Sequence, residues 1–102
     1  MTAAMDDRFE TSRRAIEDAV LRGPGHTDPD LRQRLAERRE VPEHLRALVD
    51  KIERHAYTVT DDDLATLKSR YTDDERFEIV VAASLGSALE RLRAGLRALE
   101  EA

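Results

Sequence analysis

Residues 42–78 read PEHLRALVDKIERHAYTVTDDDLATLKSRYTDDERFE, and their periodicity decides the fold class. Leu45, Leu48, Val49 and Ile52 recur at i, i+3, i+4 and i+7, which places them on one face of a helix opened by Pro42. Two capping-box patterns follow. Thr60-x-x-Asp63 stands before Leu64 and Leu67, and Thr72-x-x-Glu75 stands before Phe77. Each marks a place where a hydroxyl and a carboxylate satisfy the free N–H groups of a new helix. No stretch alternates at period two for long enough to argue a sheet.

The same reading extends in both directions. Towards the N-terminus, Phe9, Ile16 and Val20 share a stripe, predicting a first helix over about Met5–Arg22 that stops at Gly23-Pro24-Gly25. Asp28 is placed as an N-cap with Pro29 at the first helical position, opening a short helix that carries Leu31 and Leu35. Towards the C-terminus, the longest helix is expected from Asp73 to about Glu100. Its Phe77, Val80, Val81, Leu85, Leu89, Leu92, Leu96 and Leu99 form a seam longer than four short helices can cover, and such stripes find a partner chain. Within it, Ala82-Ala83-Ser84-Leu85-Gly86-Ser87-Ala88 is dense in small residues. That run reads either as close packing against a neighbouring helix or as a pocket wall. The expected fold is all-α, a compact bundle of about five helices with a long C-terminal helix, in one domain over residues 1–102.

Composition narrows the function classes. The 102 residues carry 38% charged side chains and a net charge of −5, which opposes the basic stripe that phosphate neutralisation needs, so no nucleic-acid role is expected. Arg38-Arg39 and the Arg91, Arg93 and Arg97 series are interleaved with glutamates, as solvated ion-paired faces are. No apolar run is long enough to span a bilayer and the first residues are acidic and polar, so no membrane role and a cytoplasmic location are expected. The absence of cysteine excludes disulfides and thiolate chemistry.

The residues able to carry chemistry cluster around His55. This histidine continues the stripe of Leu48 and Ile52, and two roles are open to it. It is either a general base whose second nitrogen is oriented by Glu43 or an aspartate, or a helix C-terminal residue favoured by the carbonyl end of the dipole. Glu43 lies in the first turn of its helix, where dipole complementarity alone favours an acid. Tyr57 reads as an aromatic cap on the core with a hydroxyl in reach of a carboxylate. Glu78 either lies on a polar helix face or faces a cleft beside the His55 segment. A transition-metal site needs three or more inward ligands, whereas His26 lies in a Gly/Pro loop and His44 in a first helical turn. Asp61-Asp62-Asp63 is explained by a helix N-terminus. No metal and no cofactor is expected.

The Ala56-Tyr57-x-Val59-Thr60-Asp61-x-Asp63 segment, followed by Phe77-Glu78-Ile79-Val80-Val81-Ala82-Ala83, resembles the carboxymuconolactone decarboxylase/AhpD-like alkylhydroperoxidase superfamily over about residues 40–100, with residues 1–39 as additional N-terminal helices. In that family a glutamate precedes a C-x-x-C-x-x-x-H motif. Aligned without gaps on Arg76-Phe77-Glu78, the resemblance sets Glu43 at the glutamate, His55 and Thr58 at the cysteines, and Asp62 at the histidine. It implies an all-α trimer or hexamer, and the exposed seam of the C-terminal helix leaves a dimer open as well. Without the cysteine pair, thiol peroxidase chemistry is excluded, because neither imidazole nor hydroxyl forms the disulfide that chemistry requires.

Two function classes remain. One is a non-redox oligomeric binding or accessory module, assembled through the C-terminal helix and taking a protein partner or a small acidic metabolite. The other is a cysteine-independent acid–base enzyme, decarboxylase- or lyase-like, acting on a small acidic or lactone metabolite. Its machinery would be drawn from Glu43, His55, Tyr57, Asp62 and Glu78.

Overall fold

A computed structural model describes residues 3–55 and 59–101, with side chains except at positions 3–7, 9 and 55. Among these residues there are five α-helices, α1 (Ala3–Glu17), α2 (Pro29–Glu37), α3 (Glu43–His55), α4 (Asp61–Ala65) and α5 (Asp73–Glu101), and no strand. The expected all-α architecture with a long last helix is what the chain forms.

Local chemistry accounts for most of the boundaries. The Asp28 side chain accepts from the Asp30 N–H at 2.9 Å, and Pro29 takes the first turn of α2. The Thr60 hydroxyl accepts from the Asp63 N–H at 3.3 Å while the Asp63 carboxylate accepts from the Thr60 N–H at 2.9 Å, closing the expected capping box of α4. Thr72 and Glu75 do the same for α5, the Thr72 hydroxyl accepting at 3.2 Å and the Glu75 carboxylate at 2.9 Å. The end of α2 is less ordinary. Arg38 closes it in the left-handed region (φ 54°), with its N–H turned back on the Arg34 and Leu35 carbonyls, a position that glycine usually fills.

The first helix is not continuous to Arg22. Its last turn, Asp18–Arg22, is π-helical, a wider turn that sets Leu21 into the core. Gly23 then doubles back so tightly that a Cβ on it would stand 2.4 Å from the Ala19 carbonyl oxygen.

The core is built from Leu21, Leu35, Leu45, Leu48, Val49, Ile52, Leu67, Ile79, Ala82 and Ala83, and all four apolar residues of the α3 face lie in it. Each large side chain so buried stabilises the fold by about 1.5–3 kcal/mol. α5 meets α2 and α3 through Ile79, Ala82, Ala83 and Ser87, with Gly86 against Ala36. The small-residue run is therefore a helix-packing face, and its Gly86 also borders a cavity between α1, α2 and α5. The leucine seam is not that face: Val80 and Leu85 are half-buried at its edge, while Phe77, Leu92 and Leu99 are 70%, 49% and 66% exposed. At about 1.5 Å per residue, the 29 residues of α5 run nearly the full 48 Å of the molecule.

Candidate functional site

Among the described residues the most strongly perturbed carboxylate is Glu78, in the second turn of α5. Its Oε1 accepts from the Thr27 hydroxyl at 2.6 Å and the Thr27 N–H at 2.9 Å, and its Oε2 accepts from the His26 N–H at 2.7 Å. Gly25 permits this approach, since a Cβ there would stand 2.8 Å from Glu78 Oε1. The Arg32 Nε, from the buried face of α2, lies 4.0 Å from the same oxygen. Burial pushes the Glu78 carboxyl up, but the Thr27 hydroxyl, the two amides and Arg32 outweigh it and hold it at about 2.

Arg32 completes the cluster. It is 3% exposed, and its guanidinium donates to the Val20 and Gly23 carbonyls, both at 2.7 Å. Those carbonyls end the π-helical turn, where no following turn is present to use them. One arginine thus closes the first helix and faces the carboxylate that gathers the loop after it. In chemical terms this is an anchor: a carboxylate held at about 2 stays ionised and occupied, and does not exchange protons near neutral pH.

The other candidate residues are placed as follows. Glu43 is exposed in the first turn of α3, and Asp62 is exposed in the first turn of α4. Asp62 lines a cavity of about 420 Å³ with Asp61, Leu64, Ala65, Lys68 and Arg76, and neither Glu43 nor Glu78 borders it. His55 is the last residue of α3; its side chain, and the whole of Tyr57, lie outside the described residues. Glu78 is engaged by the 26–27 loop and Arg32, and the Asp62 cavity is separate from it. Among the described residues no group of three His, Asp or Glu side chains is placed to hold a metal ion. None of the helices described is long and apolar enough to cross a membrane.

Thr27 and Arg32 were not among the residues singled out from sequence. The signal for Arg32 was present: it lies three positions before Leu35 on the face of α2 that packs inward, and a buried arginine needs acceptors. A second unforeseen contact joins the start of α3 to the segment between α4 and α5. His44 Nε2 lies 2.7 Å from the Tyr71 hydroxyl, and the two rings stack at 5.7 Å, 18° from parallel.

Compared with known proteins, the chain matches no family model, no curated protein and no solved structure.

Proposed function

We propose that this chain is a cysteine-free relative of the carboxymuconolactone decarboxylase/AhpD-like proteins that works in the cytoplasm as a non-redox oligomeric binding or accessory module. The observation that carries the reading is the incompletely covered apolar face of α5. Leu85, Leu89, Leu92, Leu96 and Leu99 step by four and three, the spacing of helix–helix seams, while the packing face beside them is already used. Phe77, Leu92 and Leu99 have about half or more of their surface in solvent. A second copy of the chain offers the matching surface.

Glu78 supports the same side of the choice between module and acid–base enzyme. Its three hydrogen bonds and its pKa of about 2 fit a structural tie better than a proton carrier.

The test is assembly. Leu92→Asp with Leu99→Asp alters side chains that a single chain leaves exposed, so the helical content should persist while the oligomer dissociates, because an unpaired charge buried in an interface is strongly unfavourable. Light scattering that gives the same mass for parent and variant would place the interface elsewhere or remove it.

A further inference from the structure

A cavity of about 530 Å³ opens between the end of α1 with its π-helical turn, the end of α2 and the middle of α5. That volume lies within the range of small-molecule sites, roughly 300–1,000 Å³. Arginines from four separate segments border it: Arg13 of α1, Arg22 of the π-helical turn, Arg38 at the end of α2 and Arg93 of α5. Three glutamates, Glu17, Glu37 and Glu90, are also on its walls, so the pairing among these groups decides what the cavity attracts.

Most of the charge is already matched. Arg13 is paired with Glu10 and Glu17, Arg22 with Asp18, and Arg38 with Glu53 and Glu90, while Glu37 is taken by Arg39 outside the cavity. Two donors have no direct partner. Among the described residues Arg93 makes no ion pair or hydrogen bond, although it stands near enough to Glu10 to help lower that carboxyl, and the Arg38 Nη1 is buried with no hydrogen-bond partner. A buried guanidinium N–H without an acceptor is costly, and an oxyanion is its natural complement.

Two backbone features converge on the same walls. The turn that carries Arg22 is π-helical, a form that recurs at functional sites, and Arg38 holds a left-handed conformation that costs a non-glycine residue about 1–2 kcal/mol. Leu21, Ala36 and Leu89 add an apolar part. We infer that this cavity binds a small organic anion, its carboxylate or phosphate group held by Arg38 and Arg93 and its apolar body set against Leu21 and Leu89. Leu89 is shared with the α5 seam, so the site goes beyond the proposed assembly but requires that edge of the seam to stay open in it.

Calorimetric titration at a fixed ionic strength of about 0.15 M, chosen to suppress long-range attraction, tests it with two probes, inorganic phosphate and benzoate. Saturable binding at one site per chain is expected for at least one of them. A preference for phosphate would assign a phosphate-bearing ligand, and a preference for benzoate a carboxylate with an apolar body. Arg93→Gln should weaken the preferred probe at least about tenfold, the effect of losing one charge-assisted hydrogen bond. Arg97→Gln, an exposed arginine that does not border the cavity, should leave it unchanged. Both positions are exposed, so circular dichroism should show two folded variants. Equal weakening in both, or no saturation by either probe, would overturn the site.

Discussion

Gly86 of α5 lies against the carbonyl of Ala36 in α2 so closely that a Cβ on it would stand 2.1 Å from the oxygen and 2.6 Å from the Ala36 Cα. The neighbour is backbone and cannot swing aside. Gly86→Ala should therefore force the two helices apart and cost about 1–3 kcal/mol, the range for overpacking, against the usual gain in helix propensity. Gly95, in the same helix, has nothing within 4 Å of a Cβ, so Gly95→Ala should stabilise by up to about 1 kcal/mol. Urea denaturation of both variants checks the contrast, and equal effects would refute the close crossing.

Arg32→Leu removes the donor shared by the Val20 and Gly23 carbonyls and the cation beside Glu78. Breaking one side of a buried pair costs about 3–5 kcal/mol, and the loss should centre on the π-helical turn. Hydrogen exchange should show early deprotection of the end of the first helix. A uniform loss across all helices would mean that Arg32 acts through bulk packing instead.

The Glu78 carboxyl has a folded pKa of about 2 against an ordinary 4.5, so its contribution is fully present above pH 4.5 and is lost as the pH falls through 2. The shift corresponds to roughly 3 kcal/mol. The stability difference between the parent chain and Glu78→Gln should be constant at neutral pH and close over that acid window. A difference that stays level down to pH 2 would show that the carboxylate is not selectively stabilised by its donors.

Arg38 offers a comparison within one position. Both Arg38→Gly and Arg38→Ala lose the ion pairs to Glu53 and Glu90, but alanine keeps the strain of a left-handed backbone at φ 54°. The glycine variant should be the more stable of the two by about 1 kcal/mol. The reverse order in thermal unfolding would mean that the end of α2 rearranges once the guanidinium is gone.

The parts of this fold that were legible in sequence are those set by neighbours along the chain. Asp28, Thr60 and Thr72 act on N–H groups two or three residues away, and the α3 face follows from spacing alone. The π-helical turn was not legible, because it depends on Arg32, ten residues beyond its last member. Glu78 was singled out, but its partners lie some fifty residues earlier in a loop whose path periodicity does not describe. On α5 the leucines drew attention as the larger apolar groups, whereas the packing face went to Ala82, Ala83 and Gly86, whose smallness lets backbones meet. Hydrophobicity marked which residues avoid water; size decided which of them face the bundle.

The half of α5 beyond Ser87 is continuous with the half that is locked into the core, so its leucines have a fixed angular phase relative to the rest of the molecule. One residue inserted between Ser87 and Leu89 would turn the seam by about 100° and advance it by about 1.5 Å without altering either half. Two chains joined through such seams would then present their cavities and loops in a new mutual orientation. In such a pair the rigidity of a single helix would make the mutual geometry depend on the register of that short junction.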